Sequence, residues 1–148
     1  MKSARYAIAW VHGAFQVVRY VRGNVAERWE SPVRVSSTSD FANALDAAAE
    51  AIDLSGGGDV AIVHDSDAHT HSLLEIPAMK RRDLEKYLQR HVEREKPAEG
   101  EAAWCYHGVL HNDGTEGVLL HMLPKEVVDS VVATCLMRGL VVKRFVPI

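Results

Sequence analysis

Gly56-Gly57-Gly58-Asp59-Val60-Ala61-Ile62-Val63 decides how the first half of the chain folds. The glycines accept the positive φ that ends a helix. The apolar run 60–63 then reads as a short strand buried on both faces. Such a strand needs a central place in a sheet, with cover above and below. Upstream, Phe41, Leu45, Ala48, Ala49 and Ile52 recur at helical spacing after Ser36-Ser37-Thr38-Ser39-Asp40. This predicts a helix over 40–53, capped by Ser39 or Asp40, that covers one side of the strand. Earlier still, 5–10 and 15–21 are rich in β-branched and aromatic residues around the turn Val11-His12-Gly13-Ala14. Arg22-Gly23-Asn24 marks a second turn into a strand over 25–30 that runs on to Val33 and Val35. The first part is therefore βββαβ, with 60–63 expected beside the opening hairpin.

Downstream the rhythm changes. Residues 71–76 read as a strand ending at Pro77, and Leu84, Tyr87, Leu88, His91 and Val92 give a helix over 83–95 one apolar face, stopped by Pro97. Strands over 104–111 and 117–122 flank Asn112-Asp113-Gly114, a hairpin signal. Pro124 opens a helix over 125–138 with Val127, Val128, Val131, Val132, Cys135 and Leu136 on its buried side, closed by Gly139 before a last strand over 141–146. The second part is βαββαβ. Both of its helices are expected on one face of its own sheet, with the last strand returning towards the first. The class is α/β (α+β), divided into 1–68 and 69–148.

Composition narrows the function. The 148 residues carry 17 Lys and Arg against 20 Asp and Glu, a net charge of −3, so no positive field favours nucleic acid or anionic lipid. No run reaches the ~20 apolar residues of a membrane span, and His12, Gln16, Arg19 and Arg22 interrupt any signal-peptide core. These features predict a cytoplasmic protein with no direct membrane insertion. Cys105 and Cys135 read as small core residues in a reducing compartment.

Three stretches carry a resemblance. They are the hairpin Ala7-Ile8-Ala9-Trp10-Val11-His12-Gly13-Ala14-Phe15-Gln16-Val17-Val18; Ile76-Pro77 with Asp83-Leu84 and Glu95-Lys96-Pro97; and Leu119-Leu120-His121-Met122-Leu123-Pro124 with Arg138-Gly139-Leu140. In order and spacing the chain resembles the N-terminal portion of the actin-like PilM family of type IV pilus assembly. It is more distantly similar to GspL of type II secretion and to FtsA. The resemblance implies an actin-like (ribonuclease H-like) subdomain 1A, begun by the βββαβ unit and followed by a 1C-type insertion module, within a longer protein. It also implies a non-catalytic scaffold at the cytoplasmic face of the inner membrane, working with other platform components. Its partner would be the N-terminal cytoplasmic tail of a PilN-like bitopic protein, held near Leu74, Ile76, Pro77 and Met79. A homodimer through the uncovered side of the first sheet is a further expectation.

The same resemblance allows a test of nucleotide chemistry. The family's phosphate turn has Asp-Ile-Gly-Ser-Ser and a following Lys. Here Ala9 falls at the Asp, Val11 at the Gly and Gln16 at the Lys, with Gly13 beside His12 in the turn. Ala9 cannot order magnesium-bound water, and Val11 has a side chain where backbone must approach phosphate. No cofactor is expected, and ATP with magnesium would need the rest of a full-length protein; an active actin-like ATPase half is the alternative reading. A second alternative, a metal-dependent hydrolase, rests on His64, Asp65, Asp67, His69 and His71, three imidazoles and two carboxylates within eight residues. His69 and His71 would share one strand face. Against it, the run lies between two strands, where a solvated loop is expected. Lys80-Arg81-Arg82 with Lys86, Arg90 and Arg94 forms a basic stripe interleaved with Asp83, Glu85, Glu93 and Glu95, read as a solvated helix face.

Overall fold

The computed structural model describes residues 4–65, 69–96, 100–112 and 114–148. The chain forms two compact units, Met1–Ser66 with Val127–Ile148, and Asp67–Glu126.

In the first unit, β1 (Ala4–Val11), β2 (Ala14–Val21) and β3 (Asn24–Glu30) form an antiparallel meander. Helix α1 (Thr38–Ala51) then leads to β4 (Gly58–His64), which runs parallel to β1 with Ile8 opposite Ile62. The strand over 60–63 thus lies beside the opening hairpin, as its two-sided apolar pattern requires. Tyr6, Ile8 and Trp10 alternate with Ala7 and Ala9, and Val60 and Ile62 alternate with Ala61 and Val63, so large side chains share one face. That face and the helices make one core with Phe15, Val17, Phe41, Leu45 and Ala48, all essentially buried. Ala7, Ala9, Ala61 and Val63 on the other face are only partly buried.

The cap of α1 lies earlier than expected. The Ser37 hydroxyl accepts from the Asp40 N–H at 3.1 Å, while the Asp40 carboxylate accepts from the Ser36 N–H at 2.9 Å. This reciprocal pair satisfies a free first-turn donor, and leaves Ser39 inside the helix.

The larger correction concerns the last helix. Helix α3 (Lys125–Leu136), which follows α2 (Arg81–Glu95) in the chain, is expected from its apolar pattern on the sheet of 69–148. Instead Val131 and Cys135, both 0% exposed, enter the core of the first unit. The last strand, β8 (Leu140–Pro147), is the parallel neighbour of β4, completing the order β3-β2-β1-β4-β8. A parallel connection needs a crossover layered on its own sheet, and its hand is right-handed. From β1 through α1 to β4, and from β4 on to α3 and β8, the sheet grows in one direction. Both helices therefore fall on the same face. At the junction Gly57 (φ 64°) and Gly139 (φ 72°) meet backbone to backbone, where a Cβ on Gly57 would lie 2.7 Å from the Gly139 carbonyl oxygen.

The second unit is a three-stranded antiparallel sheet, β5-β7-β6, of β5 (Thr70–Pro77), β6 (Ala102–Asn112) and β7 (Thr115–Pro124). Helix α2 (Arg81–Glu95) buries Leu84, Leu88 and Val92 against Ile76, Val118, Leu120 and Met122. Tyr87 and His91, expected on the same stripe, lie at its margin, with Tyr87 38% exposed. Among the described residues no helix is long and apolar enough to cross a membrane.

Candidate functional site

The turn joining β1 to β2 holds His12 and Gly13 at φ 51° and 78°. Asp65, just past β4, reaches it twice. One carboxylate oxygen accepts from the His12 N–H at 2.8 Å, and the other lies 2.8 Å from the His12 Nδ1. The Arg34 guanidinium covers Gly13, where a Cβ would come within 2.8 Å of it. Gln16 follows on β2, paired with Ala9.

The eight-residue histidine and aspartate run is divided between two settings. His64 is 5% exposed, its Nδ1 donating to the Trp10 carbonyl at 2.9 Å and its ring stacked on the Trp10 indole at 4.0 Å. Burial pushes its pKa down, only partly opposed by that hydrogen bond and by Asp65. Asp65 is engaged by His12, and Asp67 lies outside the described residues. His64 and Asp65 make these contacts within the first unit, whereas His69 and His71 belong to the second.

Their partner is His121. In the register of the second sheet, His71 on β5 stands opposite His121 on β7, which stands opposite Cys105 on β6. Because side chains alternate, the odd-numbered positions of β5 and β7, and those of β6 before the register shift after Gly108, share the face away from α2, while Val118, Leu120 and Met122 face the helix. The His69 and His71 rings lie 4.0 Å apart, those of His71 and His121 4.6 Å, and those of His107 and His121 5.3 Å. One ligand nitrogen from each of His69, His71 and His121 can be chosen so that all three lie within 4.8 Å of one another. Burial first, then His71 and His107, lowers the His121 pKa. Neither His121 nor His107 was singled out as a ligand from the sequence. The available signal was the histidine alternating with apolar residues in both strands, which becomes informative only once the pairing register is known. The same alternation puts Cys105 on this face and makes it exposed, correcting the expectation of a core thiol. Cys135 is buried, and burial raises its pKa to about 11.

Of the residues suggested for partner capture, Leu74, Ile76 and Pro77 lie on β5 and Met79 just after it. Ile76 is 2% exposed in the core beneath α2, and Leu74 and Met79 pack against that core. Pro77 is exposed at the end of β5.

No family model matches the chain, and no curated protein matches it significantly by sequence. Solved structures do. The chain is similar to a chain of the PilM–PilN type IV pilus biogenesis complex, with a TM-score of 0.76, 17% identity, and coverage of 97% of this chain and 47% of that one. It is similar to an actin-like ATPase-fold protein of unknown function from Bacteroides thetaiotaomicron (TM-score 0.52, 16% identity, 99% and 52% coverage). The chain has the actin-like fold. The cytoplasmic domain of EpsL, an inner-membrane component of the Vibrio cholerae type II secretion system, is also similar (TM-score 0.66, 14% identity, 98% and 57% coverage). The chain spans about half the length of these three.

An actin-like ATPase fold implies magnesium and a nucleotide at the opening turn. The donor set does not fit them. Ala9 offers a methyl group where an oxygen ligand is needed, and the His12 N–H and imidazole are already engaged by a carboxylate, which would repel a phosphate placed there.

Proposed function

We propose that this chain is the actin-like part of a non-catalytic scaffold in a type IV pilus or type II secretion assembly platform. It works at the cytoplasmic face of the inner membrane and holds the cytoplasmic tail of a bitopic, PilN-like partner. In this reading the first unit corresponds to subdomain 1A and the second to the 1C insertion. The observation that carries the proposal is the likeness, over 97% of this chain, to a chain from a complex of PilM with PilN. The degenerate turn at Ala9 and Val11 supports the non-catalytic part. A tail captured in extended form would use backbone hydrogen bonds along a strand edge and small apolar pockets, which needs no nucleotide.

Calorimetric titration of a synthetic N-terminal tail of the bitopic partner into the protein tests this. Saturable binding with one tail per chain is expected, and no heat at millimolar peptide would overturn it. Magnesium–ATP should leave the melting temperature unchanged. A ligand at 100 times its Kd would add about 2.7 kcal/mol, and a shift of that size would instead favour an active ATPase.

A further inference from the structure

We propose that His69, His71 and His121 form a binding site for a divalent transition-metal ion of the zinc class, with three imidazole ligands and one coordination position left open. This proposal is independent of the scaffold reading, because it rests only on the second sheet.

Three observations converge on it. The register of β5 against β7 sets His71 directly opposite His121, and the His69 ring lies 4.0 Å from that of His71 and 5.6 Å from that of His121. Ligand nitrogens within 4.8 Å of one another need to close to about 3.3 Å around an ion held at 2.0–2.1 Å. Small side-chain rotations supply that, and His71 is exposed. Finally, His121 is 7% exposed, yet its Nδ1 is buried without a hydrogen-bond partner. Buried ring nitrogens are ordinarily satisfied, and an ion among these rings would satisfy this one.

The donor chemistry selects the ion. Three imidazole nitrogens with no carboxylate among them suit zinc, copper, nickel or cobalt, whereas calcium and magnesium require oxygen. Cys105 stands opposite His121 in register, but its sulfur is not one of the three converging ligand atoms. The ion would tie the edge strand β5 to the central strand β7.

The test uses the full chain, purified without a tag and stripped with a chelator, then titrated with zinc and, for its absorption spectrum, with cobalt. One ion per chain should bind and survive gel filtration, and zinc at 100 times its Kd should raise the melting temperature by about 5–10 °C. His71→Gln, at an exposed position that leaves the fold intact, should weaken binding on the order of 100-fold or more. His121→Gln should do the same where it folds, while His12→Gln and Cys105→Ser should bind as the unaltered protein does. The proposal is overturned if the unaltered chain binds no stoichiometric ion, if His71→Gln binds equally well, or if either control variant loses the ion.

Discussion

Both sheets carry a buried histidine on an inner strand, and they treat it in opposite ways. In the first unit His64 donates to the Trp10 carbonyl and stacks on the indole, so it behaves as one more core residue. In the second unit His121 has a buried Nδ1 with no partner and lies among His69, His71 and His107. The cores differ in the same sense. The first is one continuous cluster between a five-stranded sheet and two helices, whereas the second is two small clusters under a single helix. A sheet with a large apolar reserve absorbs a polar ring by satisfying it. A thin sheet leaves one face for chemistry.

The strongest way to break this contrast is to cut into each core. Phe41→Ala removes a ring that packs on both Trp10 and Phe15 at 5.3 Å, and should cost about 3–5 kcal/mol in urea denaturation. Leu88→Ala should cost less, at the lower end of about 2–5 kcal/mol, because the partly buried Trp104 and Tyr106 nearby can move into the space. Equal losses would refute the contrast.

The next effect sharpens how the first unit is closed. Gly57→Val places a β-branched side chain at φ 64° and against the Gly139 carbonyl. It should destabilise by more than about 2 kcal/mol, from left-handed strain plus displacement of backbone. Thermal melting measures it, with Gly23→Ala as comparator, since a Cβ there meets nothing within 4 Å.

The pH dependence of stability reports on the buried His64. The folded pKa of His64 lies below that of the unfolded chain. In the interval between the two, the unfolded state binds the extra proton, so stability is full above the unfolded value near 6.5 and falls as pH drops below it. Denaturant midpoints measured from pH 7.5 down to 5 should decline, and His64→Leu should flatten that decline. A parallel decline in the variant would mean that His64 contributes nothing to it.

The smallest effect compares helix starts. Ser37→Ala should cost about 1 kcal/mol by removing the acceptor for the Asp40 N–H. Helix α2 begins at Lys80 with no side-chain cap, so Lys80→Ala should be nearly neutral. Chemical denaturation of the two variants distinguishes them.

Much of the architecture was legible in the residues. Alternation in 5–10 and 15–21, the apolar run 60–63 and the glycines around it placed the first strands and α1 correctly. What escaped depended on pairing. The valine-rich face of 125–136 shows that the helix packs, but not on which sheet; that follows only once β8 is known to run parallel to β4. Five consecutive capping residues at 36–40 left the helix start ambiguous by two positions. The histidine cluster joins positions 71 and 121 across an antiparallel ladder, so inspection of the run 64–71 alone grouped it with His64 and Asp65, which fold elsewhere.

The pairing of Gly58 with Leu140 spans the entire second unit, and this has a consequence for biosynthesis. As the chain leaves the ribosome, β1 to β4 emerge first, yet β4 keeps one row of backbone donors and acceptors unpaired until residues 140–147 follow. The second unit is contiguous in sequence and has all its partners before then. Such a nascent chain carries an open apolar strand edge while residues 65–139 are made, and long-range parallel closure is intrinsically slow. Ribosome stalling between residues 66 and 127 would therefore leave an adhesive intermediate, and factors that shield strand edges would matter most in that interval.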